Sequence, residues 1–315
     1  MGLSPAVRQS GRMDALRTPE ERFDAVVGFD HPTQRVDVGD GLRMCVAMAG
    51  PADAPAVVLV HGEPTWGYLY RDVVTPLLDA GLRVVVPDLI GCGRSDKPTQ
   101  REDYSYARHV EWLRAALFDA LDLSEIFYVG QDWGGLLGMR LLAEHPDRFA
   151  GVVMSNTGLP TGDVPMPDVW QQFRRMVETA PALDVPRMVD SGCVRSLTDA
   201  EFAAYAAPFP SEHYCAGIRV FPSLVPNYPD DPAYAANTAA WEALATCEVP
   251  LVCAFTDSDP VTRGQDQSMR ERIPGAAGRP HVTIENAGHF VQEDAPAELA
   301  DAVLGLERSA PPGEE

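Results

Sequence analysis

The stretch "YVGQDWGGLLGMR", residues 128–140, decides the fold. The apolar run Ile126, Phe127, Tyr128, Val129 reads as a buried strand. It breaks at Gly130-Gln131-Asp132-Trp133-Gly134, and helical apolar spacing follows to about Ala143. Strand, glycine-flanked turn and helix together make a nucleophile elbow, whose tip residue is usually serine. Here the tip is Asp132. A serine at such a tip needs a base to take its proton, whereas a carboxyl ionises unaided at a pKa of ~3.9. Attack on an ester carbonyl would give a carboxylate only a labile anhydride. Displacement of a leaving group from an sp3 carbon gives it an alkyl ester, a covalent intermediate that water must then open.

The flanks repeat the strand–helix alternation. "AVVLV" (56–60) and "RVVVP" (83–87) are continuous apolar runs, as strands buried on both faces require. Residues 67–80 and 104–121 read as helices, and "RVDV" and "LRMCVAM" as a hairpin about Gly39-Asp40-Gly41. "FAGVVMSN" (149–156) is a further strand, after which the alternation stops. It resumes with a helix near 235–245, strands at 250–255 and 281–285, a helix near 264–272 and a last helix over 294–307. This predicts a mostly parallel sheet of about eight strands with helices on both faces. An inserted helical cap is expected over 157–230, on a discontinuous core of 13–156 and 231–307. The polar start, 1–30, reads as partly disordered, with 1–12 and 308–315 as loose termini. Met1 and Met13 both stay open as the start.

Composition narrows the function. A formal net charge of −21 repels phosphate backbones, which argues against nucleic-acid binding. The six cysteines form no CxxC pair and no zinc-like spacing, so they read as buried reduced thiols and no metal is expected. No apolar h-region opens the chain and no uncharged apolar run reaches ~18 residues, so neither export nor a membrane span is expected. A cytoplasmic location follows by default. Lys97 is the only lysine, which reads as a compositional bias.

An ester on Asp132 calls for a base, a residue to orient it, and an oxyanion hole. "ENAGHFVQE" puts His289 after the last strand, where the base belongs. "AFTDSDPVT" puts Asp257 and Asp259 after the preceding strand; Asp259, before Pro260, is the preferred partner of His289, and Asp257 the alternative. The order nucleophile, acid, histidine is that of α/β hydrolases. The oxyanion hole is expected from the backbone N–H groups of Trp133, just after the nucleophile, and of Glu63, just after His61-Gly62. A leaving group that departs as a large, weakly hydrated anion would suit an indole N–H, which donates and never accepts. Trp133 stands beside the nucleophile and can supply one.

"HGEPTWGYLYR", "PDLIGCGRSDKP", "GQDWGG" and "AGHFVQE" together resemble the haloalkane dehalogenases, from about Leu16 to Leu306. The resemblance implies an α/β-hydrolase fold. It also implies cleavage of carbon–halogen bonds to alcohol, halide and proton, without cofactor or metal. The partners implied are a small halogenated aliphatic substrate and a halide ion, with the chain a monomer or weak homo-oligomer. In this family the second halide donor is either a cap Trp or an Asn after the HG pair. Glu63 stands at the latter position, so the resemblance points to Trp170, the only Trp of the inserted region. Asn156 stands where the Asn-type subfamily carries its catalytic Glu, which points the same way. "YAAPFPSEHYCAGIRVFPSLVP" resembles the cap of this subfamily, and implies that Phe221, Pro222, Leu224 and Val225 line the pocket or its entrance. "TGDVPMPD" departs from the pattern and leaves substrate range open.

Three rivals remain. An epoxide hydrolase shares the Asp nucleophile but needs cap tyrosines, for which Tyr205 and Tyr214 are available. A fluoroacetate-type dehalogenase would carry Arg beside the nucleophile, where this chain has Trp133. A non-catalytic binding module would usually lack a member of the Asp132–Asp259–His289 set.

Overall fold

The computed structural model describes residues 12–309. In chain order the first half forms β1 (Ala15–Leu16), β2 (Thr33–Asp37), β3 (Arg43–Ala49), β4 (Ala56–Val60), α1 (Arg71–Asp79), β5 (Arg83–Pro87), β6 (Lys97–Pro98), α2 (Tyr106–Arg114), β7 (Ile126–Gln131), α3 (Trp133–Glu144) and β8 (Phe149–Ser155). Four helices follow without a strand: α4 (Asp168–Thr179), α5 (Val185–Asp190), α6 (Asp199–Ala206) and α7 (Ala216–Leu224). The chain ends with α8 (Tyr234–Leu244), β9 (Leu251–Thr256), α9 (Gln265–Arg272), β10 (Val282–Ile284), α10 (Val291–Asp294) and α11 (Pro296–Ser309).

Eight strands make one sheet in the order β10-β9-β8-β7-β4-β5-β3-β2. Only β2–β3 and β3–β5 pair antiparallel; the other neighbours run parallel. β4, β7 and β9 are buried along their whole length. Their side chains alternate between two cores, as the period of two demands. Val58, Val60 and Tyr128 face one, and Val57, Leu59, Phe127 and Val129 the other. Register aligns Val60 with Gly130 and Gly130 with Met154, so the loops after β4, β7 and β8 leave the same sheet edge. Ligands of open α/β sheets collect in such a crevice beyond the carboxyl ends of the strands.

The start of the chain is more ordered than its polar composition suggests. β1 pairs antiparallel with β6, and Phe23 is buried edge-on against Trp66, with centroids 5.4 Å apart. Phe29 packs edge-on against the same indole, so two aromatics and two strand residues help anchor an otherwise polar stretch. Of the termini expected to be loose, 1–11 and 310–315 lie outside the described residues; α11 runs on through Ser309. The helix expected over 104–121 divides into α2 and a π-helical continuation, Ala115–Ala120. Lys97 does more than fill out a composition. Its Nζ is buried and donates to the backbone oxygens of Gly93 and Ser95 at 2.6 and 3.1 Å, tying down the loop before β6.

The four-helix segment is laced to the loop that follows β10 and to α10. The buried Glu293 carboxylate accepts from both terminal nitrogens of Arg71 at 2.6 and 2.8 Å, and from Arg195 and the Tyr205 hydroxyl. Glu201 bridges Arg71 and Arg195 at 2.6 and 2.8 Å. Asp294 accepts the backbone N–H groups of Gly288, Val194 and Arg195 at 2.8, 2.8 and 3.0 Å. His289 N–H donates to Gly192 O at 2.7 Å.

The elbow depends on Gly134. A Cβ there would lie 1.9 Å from Val60 O, a backbone atom with nowhere to go. The Tyr128 hydroxyl, donating to Gly134 O at 2.5 Å, holds the turn from below. Gly134→Ala should therefore destabilise the fold by about 3 kcal/mol, read as a lower urea midpoint at unchanged slope.

Candidate active site

Asp132 closes β7 with φ +51° and ψ −123°, in a region that side-chain-bearing residues rarely enter. The turn lifts its carboxylate above the sheet at the N-terminus of α3, where free N–H groups favour negative charge. Its own N–H donates to Asn156 O at 3.1 Å, and Thr157 Oγ1 donates to its carbonyl at 2.7 Å.

Glu63 N–H donates to Asp132 Oδ1 at 2.7 Å. Gly62 is obligatory beside it, because a Cβ would fall 2.2 Å from Asp132 Oδ1. His61 sets this loop. Leu89 N–H donates to its Nε2 at 2.9 Å, so the ring proton sits on Nδ1, which contacts Gly62 O at 2.9 Å. Burial lowers the His61 pKa and keeps the ring neutral. The first-turn carbonyl bonds of α3 come from Gly135 and Leu136 onto Asp132 O, which leaves Trp133 N–H without a backbone acceptor among the described residues.

His289 lies across from Asp132, its Nε2 3.6 Å from Oδ2. On its other side Nδ1 lies 3.0 Å from Asp259 Oδ2. Asp259 is buried and also accepts from Val261 N–H at 2.8 Å and from the Thr262 hydroxyl. Asp257, the alternative, is exposed and bonded to Ser258 instead. Burial works against the Asp259 charge, but His289 and these hydrogen bonds hold its pKa at about 2. Burial likewise lowers His289, and the carboxylates of Asp259 and Asp132 outweigh that to raise it.

These groups face a cavity of about 280 Å³. Its wall is mainly apolar, with Leu136, Val169, Phe173, Met188, Val225 and Phe290 among its lining. Trp133 and Trp170 both border it. The five tryptophans divide by what their indole N–H groups do. Trp66 donates to Ala204 O, Trp112 to Asp40 Oδ2 and Trp241 to Leu159 O, at 3.2, 3.2 and 2.8 Å. Trp133 and Trp170 have no acceptor among the described residues, yet neither indole nitrogen is among the sealed, unpaired polar atoms. Both N–H groups therefore open onto the cavity.

Pro222 and Val225 line the cavity, whereas Phe221 and Leu224 do not. Pro222 and Val225 are three residues apart and share a face, while Leu224 lies about 200° around from Pro222. Phe221 is fully buried and packs on His109 and Trp133, with centroids at 4.6 and 4.9 Å, bracing the indole from behind. The cap tyrosines are turned elsewhere. Tyr205 is buried on Glu293, and Tyr214 borders a separate groove with Arg101 and Arg219.

Two residues named in the sequence analysis for other reasons have side chains whose contacts it did not anticipate. The Glu63 carboxyl lines the cavity, and its Oε1 is buried without a partner among the described residues. Burial, then the nearby Asp132 charge, pushes its pKa well above the carboxylate range. Asn156 donates through Nδ2 to Gly288 O and His289 O, both at 2.9 Å, and pins the histidine loop to β8.

Comparison with known proteins gives this geometry its family. The sequence pattern of the alpha/beta hydrolase fold matches residues 55–296. A haloalkane dehalogenase of Mycobacterium marinum is 48% identical over 296 residues, covering 93% of this chain and 99% of that protein. One of Psychrobacter cryohalolentis is 47% identical over 93% of this chain and 97% of its own. The chain belongs to the haloalkane dehalogenases. Among solved structures, the tetrameric haloalkane dehalogenase DpaA of Paraglaciecola agarilytica superposes with a TM-score of 0.84 at 34% identity, over 93% of this chain and 98% of that one. The dehalogenase is thus a hydrolase acting on carbon–halide bonds, and the epoxide hydrolase alternative is not favoured.

The low pKa of Asp259 carries a stability signature. Its folded pKa lies below the unfolded value of ~3.9. The stabilisation is therefore present above pH ~3.9 and is lost as pH falls through about 2. Urea unfolding from pH 5 to 2 should show a steeper acid loss in the native chain than in Asp259→Asn.

Proposed function

We propose that Asp132 is the nucleophile that displaces halide from a haloalkane, and that His289, held by Asp259, activates the water that opens the resulting ester. The observation that carries this reading is the division of the tryptophans. Among the described residues, only the two indoles at the Asp132 cavity keep their N–H groups uncommitted. Such donors suit a leaving group that arrives as carbon-bound halogen and departs as an anion.

In the first step an Asp132 oxygen attacks the halogen-bearing carbon, a C–O bond forms, and the C–halogen bond breaks. The electron pair leaves on halide, received by Trp133 and Trp170 Nε1–H. The second step takes place at the carboxyl carbon. His289 Nε2 removes a proton from water, whose oxygen adds to that carbon. The negative charge passes to the carbonyl oxygen, facing the N–H groups of Glu63 and Trp133, donors worth typically ~2.7–4 kcal/mol each. The acyl C–O bond then breaks, His289 returns the proton to the departing alcohol, and the second water proton is released as Asp132 regains its charge. Alkylation neutralises Asp132 and so removes one of the two carboxylates that raise the His289 pKa. The histidine is then held less strongly as imidazolium, so the neutral ring with a lone pair at Nε2 is available to take the water proton once the ester exists.

We assign residues 157–230 as a cap that completes the cavity over a core of 13–156 and 231–307. Phe221 acts there as a brace for Trp133, and Pro222 and Val225 as lining. Small halogenated aliphatics match the mainly apolar wall.

Asp132→Asn should release no bromide from 1-bromobutane or 1,2-dibromoethane. Asp259→Asn should release one equivalent in a burst and then turn over about 10³–10⁴-fold more slowly, with the alkylated chain visible by mass. Bromide should quench tryptophan fluorescence in the native protein. Trp170→Phe should weaken that quenching roughly tenfold in bromide affinity, the loss of a single hydrogen bond to an anion; unchanged quenching would remove Trp170 from the halide site.

A further inference from the structure

Gln131, next to the nucleophile in sequence, has no part in the steps above, yet its side chain is wholly buried against the base. Its Nε2 lies 3.1 Å from His289 O and 3.1 Å from His289 Nε2. A backbone carbonyl can only accept. The carboxamide atom that faces it is therefore the NH2 group, which fixes the orientation of the amide. Gln131 Oε1 then sits enclosed without a donor among the described residues. An orientation that strands a buried acceptor persists because both contacts of the NH2 group hold it.

The same NH2 group meets the histidine ring. A neutral imidazole with its proton on Nδ1 offers a lone pair at Nε2 and accepts. An imidazolium offers N–H against N–H. We propose that Gln131 is a positioning residue for dehalogenation: its amide holds His289 as the Nδ1–H tautomer and disfavours the imidazolium, so that Nε2 is kept unprotonated until water arrives as proton donor. The proposal rests on the assignment of His289 as base.

The groups around His289 define what Gln131 works against. Asp259 Oδ2 at Nδ1 and Asp132 Oδ2 near Nε2 both favour the imidazolium. The Glu63 carboxyl and the Cys193 thiol line the same cavity, both held toward their neutral forms by burial. Asp294 faces the loop backbone and is occupied by Gly288 N–H. After alkylation only Asp259 still attracts the proton, and it is served equally by Nδ1–H of the neutral ring. Gln131 then tips the balance at Nε2.

The test is a single-turnover experiment with 1,2-dibromoethane across pH, on the native chain, Gln131→Glu and Gln131→Met. It follows both the bromide burst and the mass of the alkylated protein. Ester hydrolysis should switch on at a pH about one unit higher in Gln131→Glu, where a carboxylate faces Nε2, and at an intermediate pH in Gln131→Met. The burst should keep its amplitude in both, and raising the pH should restore hydrolysis. A loss of hydrolysis that is uniform across pH, or an unmoved midpoint in Gln131→Met with the burst intact, would overturn the proposal. If Gln131→Glu fails to fold, Gln131→Met decides alone. Absence of any burst or alkylated species in the native chain would instead overturn the ester reading itself.

Discussion

The left-handed backbone of Asp132 is the constraint on which the site depends. A residue with a side chain at φ +51° costs of order 1–3 kcal/mol, and the neighbourhood must over-determine it. Gly62 and Gly134 leave room where any Cβ would strike Asp132 or Val60. Tyr128 and Thr157 bond the carbonyls on either side of the turn, and Asn156 accepts the Asp132 N–H. In return, the carboxylate stands clear of the sheet, with one oxygen on Glu63 N–H and the other toward His289.

Charge is rationed within that frame. Three carboxyls lie within reach of a single imidazole, and the structure keeps them in different states. Asp259 is stabilised as an anion by donors on both oxygens. Glu63 is deprived of donors at Oε1 and pushed toward the neutral acid. Asp132 is the one whose charge the proposed reaction consumes and restores. Separate environments for like groups are how one crevice can hold an acid, an anion and a nucleophile at a common pH.

Much of this was legible in the sequence because it is encoded locally. Continuous apolar runs marked β4, β7 and β9, and glycine spacing marked the elbow. Asp132, Asp259 and His289 each sit at a strand end, so the topology alone brings them together. What escaped the reading depends on distant side chains. Whether Phe221 or Pro222 meets the cavity is set by the rotation of α7 against α4, which no window of residues reports. The carboxamides of Gln131 and Asn156 acquire meaning only from a loop some 130 residues away or more. Phe23 needed Trp66 before its polar surroundings could be read as anchored.

The Glu293 cluster divides the inserted helices into two kinds of neighbour. Arg195 and Tyr205 are bonded to Glu293, four residues beyond His289, Glu201 is bonded to Arg195 and to Arg71, Arg71 is itself bonded to Glu293, and Gly192 accepts the N–H of His289. A replacement near α5 or α6 is mechanically a replacement beside His289. The face of α4 that carries Val169 and Phe173 touches the cavity without entering that cluster. Sequence drift can therefore reshape the substrate-facing wall on α4 while the histidine keeps its aim. The fold separates the wall of the pocket carried on α4 from the wall bonded to the His289 loop.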